Sequence, residues 1–129
     1  MSTRFMAFLA VCAGALALVV PSASGGPAAT TVQIQKNATL VSPTQVVVPL
    51  VVQCPAGEFA FQSVFLDQPQ AVGPNTAGSG SGFLVCDGTH QTVNVSVSSG
   101  PFVVGNAFAS ARSFEGVDLV FDTRVVTVG

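Results

Sequence analysis

The chain has 129 residues, a formal net charge of −2 and 8% charged residues, about a third of the ~25% usual in soluble domains. This length predicts a single domain, and the apolar, weakly charged composition excludes a disordered chain. Four basic residues are too few to bind phosphates electrostatically, which argues against nucleic acid as a partner, and a single histidine limits acid–base chemistry near neutral pH.

The first 24 residues have the pattern of a secretory signal peptide. Arg4 supplies the positive charge, residues 5–20 form an uncharged apolar run, and small residues follow Pro21. A helix that spans a membrane needs ~20 apolar residues, and this run is shorter. We therefore expect a cleaved signal rather than a membrane anchor.

Cleavage is expected after Ser24, with cleavage after Gly25 as the alternative. The first of these makes residues 25–29 a flexible lead-in and residues 30–129 the folded domain. Cys12 provides an alternative, a lipoprotein anchored to the membrane through this cysteine. Val11 argues against that alternative, because a lipobox needs a small residue directly before the lipidated cysteine. The prediction is a secreted protein that does not contact the membrane after cleavage.

Beyond the lead-in, Val and Thr are abundant and alternate with polar residues, which predicts β-strands. The first two strands are predicted at residues 31–35 and 38–41. Residues 45–54 form the strongest strand pattern. Pro49 has no backbone N–H to donate to a neighbouring strand, which predicts an edge position or a bulge. Alternate side chains of the strand are assigned to the core: Val46, Val48, Leu50, Val52 and Cys54.

The next strand is predicted at residues 59–66, and its phenylalanines share one parity that we assign to the core. Residues 67–81, rich in Gln, Pro, Gly and Ser, predict the longest loop. A short strand at residues 82–86 and an alternating strand at residues 92–97 follow.

The last two strands are predicted at residues 102–111 and 117–128, with a turn at 113–116 and a break near Asp122. Small side chains on one face of the first of them predict close packing of two sheets: Ala107, Ala109 and Ala111. About seven to nine short strands joined by frequent turns predict an all-β fold, an immunoglobulin-like antiparallel β-sandwich.

Two cysteines, Cys54 and Cys86, remain after cleavage and are separated by 32 positions. In an oxidising compartment an even pair predicts a disulfide. A zinc site is the alternative, but the sequence has no Cys-x-x-Cys pair. A catalytic thiol would need His90 as its base. We expect a disulfide, and neither a metal nor a cofactor.

Four segments carry a resemblance to a known group of proteins: residues 46–55 (Val-Val-Val-Pro-Leu-Val-Val-Gln-Cys-Pro), 86–88 (Cys-Asp-Gly), 92–97 (Thr-Val-Asn-Val-Ser-Val) and 105–107 (Gly-Asn-Ala). Together they resemble small secreted immunoglobulin-like domain proteins of actinobacteria, a group with no assigned function. The resemblance covers most of the mature chain and implies the sandwich fold. The chain also looks similar in size to apoproteins that carry enediyne chromophores, but those have two disulfides and this chain can form one.

Candidate catalytic groups are few. His90 follows a polar turn that contains Asp87, and we expect it to be solvated. Asp118, Asp122 and Arg124 share one parity and are expected to point outward, with the last two forming a weak surface ion pair. The sequence therefore predicts no catalytic residues and no metal ligands.

Phenylalanine is the one residue type that suggests binding, with ten copies in the chain. Parity or turn position makes Phe83, Phe102, Phe108 and Phe114 candidates for exposure, and Phe108 and Phe114 are the candidates for an apolar contact with a partner. We favour ordinary packing in the core or at the ends of the sandwich over such a contact.

Three classes of function remain open at this point. The leading prediction is a secreted, non-enzymatic binding module or cell-envelope protein, whose partner is another protein or a cell-wall component. The second is a secreted inhibitor or small-ligand carrier that uses residues 67–81 or the mouth of the sandwich. An enzyme is the third, and the shortage of catalytic groups disfavours it.

Overall fold

The computed structural model describes residues 30–116 and 118–129. The predicted signal peptide, the lead-in and Cys12 lie outside the described residues. Within this range no helix is long and apolar enough to cross a membrane. The described residues form these strands: β1 Thr31–Ile34, β2 Asn37–Ser42, β3 Gln45–Gln53, β4 Phe59–Gln68, β5 Thr76–Val85, β6 His90–Ser99, β7 Gly105–Glu115 and β8 Asp118–Val128.

Seven of these strands close into a barrel in the order β3-β2-β8-β7-β4-β5-β6, and β6 pairs back to β3. The extra strand, β1, pairs with β3 beside β2. Neighbouring strands are antiparallel except β2 and β8, which makes the barrel mixed. The prediction of an all-β fold is confirmed.

The prediction of a two-sheet immunoglobulin-like sandwich is wrong. Two short pairings join what would otherwise be separate sheets. Ala38 of β2 pairs with Val128 of β8, and Gly78 of β5 pairs with Ser99 of β6. Each pairing covers two residues, too short to be recognised from the alternation of a sequence.

The core lies inside the barrel and follows the predicted alternation on β3 and β6. Every second residue of β3 is fully buried, and the disulfide cysteine that follows the strand continues this parity. The three inward valines of β6 and the three inward alanines of β7 complete the interior. They are Val93, Val95, Val97, Ala107, Ala109 and Ala111.

The predicted disulfide between Cys54 and Cys86 is confirmed, with the two Cα atoms 5.4 Å apart. It joins the residue after β3 to the residue after β5. Backbone bonds hold the same junction: Gly57 donates to the Cys86 carbonyl at 2.9 Å, and Gly88 donates to the Cys54 carbonyl at 3.2 Å. The disulfide and these two backbone hydrogen bonds therefore hold the end of β5 against the end of β3.

The predicted loop at 67–81 is wrong, because β5 is a strand of ten residues and the connection before it spans only residues 69–75. Glycine usually weakens a strand, but here its lack of a side chain is needed. A Cβ at Gly80 would overlap the Ser96 carbonyl oxygen, and one at Gly78 would lie 2.7 Å from the Ser98 carbonyl oxygen. The Gly-Ser alternation therefore lets β5 cross β6 at close range.

Pro49 lies in a strand with neighbours on both sides, contrary to the predicted edge position. It pairs with Asn94 of β6, and its carbonyl accepts a bond from the Gln35 N–H at 2.9 Å. The N–H and C=O of one strand residue point to the same side of the strand, so the N–H that Pro49 lacks would face the junction of β1 and β2.

The predicted turn at 113–116 and the break near Asp122 are also wrong, because β7 continues to Glu115 and β8 is continuous.

Asp122 and Arg124 also differ from the prediction of an outward surface pair. Asp122 pairs with buried Ala111, which places it on the inward parity. Its carboxylate accepts a bond from the Ile34 N–H at 2.7 Å, and the Arg124 guanidinium donates to the Ile34 carbonyl at 3.0 Å. Two β8 side chains thus satisfy both backbone groups of Ile34 at the end of β1.

Asp122→Ala is expected to lower the free energy of unfolding by about 1–3 kcal/mol, because it leaves the Ile34 N–H without its acceptor. Urea unfolding measures the loss, and hydrogen exchange should accelerate at the Ile34 amide. Asp118→Ala is the matched control, since it removes an exposed carboxylate from the same strand and should cost less than about 0.5 kcal/mol. Equal losses in the two variants would contradict this account of how β1 is held.

Candidate functional site

An apolar patch covers one end of the outer surface formed by β4, β5, β7 and β8. Its members are between 38% and 63% exposed, and they alternate with inward residues along each strand. We call this patch the phenylalanine face. It consists of Phe59, Phe61, Phe83, Val85, Phe114, Leu119 and Phe121.

The strand register places these side chains in rows. Phe61 lies opposite Phe83 on β5 and opposite Phe114 on β7, and Phe114 lies opposite Leu119 on β8. The ring centroids of Phe61 and Phe83 are 5.0 Å apart, and those of Phe59 and Phe83 are 5.7 Å apart. These spacings are typical of aromatic pairs, so the patch is continuous rather than a set of scattered side chains.

The assignment of the β4 phenylalanines to the core is wrong. Phe59, Phe61 and Phe65 all point outward, and the smaller residues Ala60 and Val64 fill the interior. Both parities of β4 are partly apolar, so alternation alone cannot choose between them. The alanines of neighbouring β7 pair with larger aliphatic residues of β4, Ala109 with Leu66 and Ala111 with Val64, so this part of the interior is already filled without a phenylalanine ring.

Three of the four phenylalanines that were candidates for exposure are exposed, contrary to the favoured prediction of ordinary packing: Phe83 by 52%, Phe108 by 49% and Phe114 by 38%. Phe102 is buried, with 2% of its surface accessible. A Cβ at Gly78 would lie 2.7 Å from the Phe102 ring, which shows how closely the ring packs against β5. Phe83 and Phe114 belong to the phenylalanine face, and Phe108 lies farther along β7.

Arg112 is the charged side chain nearest the face. Its guanidinium carbon lies 5.7 Å from the centroid of the Phe114 ring, within the range of a cation–π contact. Arg112 pairs with Ser63, which lies opposite Ser81. In the next row Phe65, which is 54% exposed, lies between Ser79 and Ser110, and Ser110 lies opposite Thr123. The margin of the face therefore carries one cation and several hydroxyls, with the ring of Phe65 among them.

A shallow groove of about 230 Å³ lies at the other end of β4, β7 and β8. Its volume is below the ~300–1,000 Å³ usual for small-molecule sites. The groove gives little support to the alternative of a small-ligand carrier. Its lining residues are Asp67, Pro69, Asn106, Ala107, Phe108 and Val125.

Asp87 lies in the turn before β6, three residues before His90, but its carboxylate accepts hydrogen bonds from Thr89. The Thr89 hydroxyl donates to the Asp87 carboxylate at 2.6 Å, and the Thr89 N–H donates at 2.8 Å. These two bonds hold the pKa of Asp87 below its ordinary value. His90 is exposed at the first position of β6. Among the described residues no group of three or more His, Cys, Asp or Glu is arranged to hold a metal ion.

Comparison with known proteins adds no assignment to this geometry. No protein-family model matches the chain, and no curated protein matches it at a significant level. The family resemblance therefore stays a prediction that rests on the quoted segments. Any function must be argued from the described residues themselves.

Proposed function

We propose that this protein is a secreted, non-enzymatic binding module that contacts its partner, a protein or a cell-wall component, through the phenylalanine face. The row from Phe83 through Phe61 and Phe114 to Leu119 is the observation that carries the proposal. Isolated exposed apolar residues are common on protein surfaces, but a row of three phenylalanines and a leucine across four neighbouring strands is not.

The size of the face supports the same conclusion. A whole aromatic side chain offers roughly 150–250 Å², so the exposed fractions of the face amount to about 500–800 Å² of apolar surface. The largest apolar patch on a typical monomeric protein is ~300–600 Å² and is often functional. An area at or above this range favours a contact surface.

Capture from culture supernatant and from solubilised cell wall tests the proposal. The immobilised exported protein should retain a component that the double variant Phe61→Thr/Phe83→Thr does not retain. Threonine suits strands, so the exchange removes the rings and preserves the local backbone preference. Val41→Thr is the matched control, because Val41 is an exposed strand residue on β2, outside the face. Equal capture by the double variant would contradict the proposal.

The non-enzymatic part of the proposal is tested separately. Both mature cysteines are held in the disulfide, and the exposed His90 has a solvated environment. The purified protein should show no turnover on a panel of ester, peptide and glycoside substrates. A turnover that His90→Ala abolishes would contradict this part and leave the contact surface unaffected.

A further inference from the structure

We infer that the phenylalanine face binds a second copy of this chain, so that two faces pack on each other about a two-fold axis. The inference rests on the proposed function, because it names the partner of the same face. The apolar area, the charge on the face and the two-fold geometry each support it.

The area of the face matches what a stable dimer needs. A standard interface buries about 800 Å² on each partner, of which a little more than half is apolar. Each copy must therefore contribute about 450 Å² of apolar surface. The phenylalanine face supplies about 500–800 Å², which meets this requirement.

The charge on the face also suits self-association. The members of the face are uncharged, so contacts between them bury no charge. Arg112, which pairs with Phe121 at the edge of the face, is a cation that two packed copies would also cover, and its side chain already contacts the Phe114 ring.

A two-fold axis that runs along the strands between β4 and β7 places β4 of one copy over β7 of the other. Phe61 then packs on Phe114 of the partner subunit, and this contact forms twice. Arg112 faces Ser63 of the partner subunit, whose hydroxyl can accept its N–H. The two Arg112 side chains then lie on opposite sides of the axis, each beside the Phe114 ring of its own chain.

Sedimentation equilibrium of the exported protein tests this inference. The mass should rise from one chain to two at concentrations of about 1–10 μM, the weak end of the range for standard interfaces. Phe61→Thr/Phe83→Thr should lower the association constant on the order of 100-fold or more, because each changed position occurs twice in the interface. Val41→Thr should dimerise like wild type. A single-chain mass for wild type at about 500 μM overturns the inference.

Dilution of the wild-type protein, followed by NMR, tests the location without relying on a variant. Signals of Phe61, Phe83 and Phe114 should shift on dilution, whereas those of Val41 should not. Dimerisation without shifts at the face overturns the inference.

The two proposals fail in different ways. If wild type is monomeric but captures a component that the double variant loses, the second copy is the wrong partner and the proposed function stands. If the double variant equals wild type in both capture and association, both proposals are wrong.

Discussion

Replacing Cys54 and Cys86 together by alanine is expected to lower the free energy of unfolding by about 3–4 kcal/mol. The disulfide closes a segment with a sequence separation of 32, and its loss frees the unfolded chain to adopt more conformations. For a domain of this size the melting temperature should fall by roughly 12–30 °C. Urea unfolding and a thermal melt measure the two effects.

Reductant provides the control for this double variant. Wild type in reductant should approach the stability of Cys54→Ala/Cys86→Ala, and the variant itself should not respond to reductant. Two alkylatable thiols in the native exported protein would contradict the pairing. A stability difference well below 1 kcal/mol would instead contradict its expected contribution.

Gly80→Ala is expected to destabilise the fold by about 2–4 kcal/mol, because its methyl group would overlap the Ser96 carbonyl oxygen. That oxygen belongs to the backbone, so relief requires β5 and β6 to move apart. The short pairing of Gly78 with Ser99 lies close to this point and should weaken with it. Urea unfolding measures the energy, and hydrogen exchange in β5 and β6 locates the change.

Ser81→Ala is the matched control, since Ser81 is the next residue of β5 and points outward. It should change the free energy of unfolding by less than about 0.5 kcal/mol. If Gly80→Ala were as mild as Ser81→Ala, the close crossing of β5 over β6 would be contradicted.

How far the sequence predicts this protein depends on the strand considered. On β3 one parity is fully apolar and ends in a cysteine, so Val46 through Cys54 were correctly assigned to the core. On β4 both parities contain apolar residues, and the larger ones, including Phe61, were assigned to the wrong side. On β5 the glycines suggested a loop, because the reason for them is the backbone of β6, which no local pattern reveals.

The candidate site was predictable only in part. Parity and turn position make Phe83 and Phe114 candidates for exposure, but their relation to Phe61 depends on the register of β4 with both β5 and β7. Asp122 was placed on the surface, although its carboxylate bonds to the backbone of Ile34, 88 positions away in the chain. Both contacts join residues that are distant in sequence.

The sequence by itself determined the all-β class, the disulfide partners and the inward faces of β3 and β6. These follow from local alternation and from the presence of two cysteines after the predicted cleavage site. Only the tertiary structure decided that the strands close into a barrel and that the phenylalanines form one outer face. Closure depends on two pairings of two residues each, between β2 and β8 and between β5 and β6. The interior of the closed barrel is already filled by aliphatic side chains and by Phe102, so the phenylalanines of β4, β5 and β7 lie on the outside.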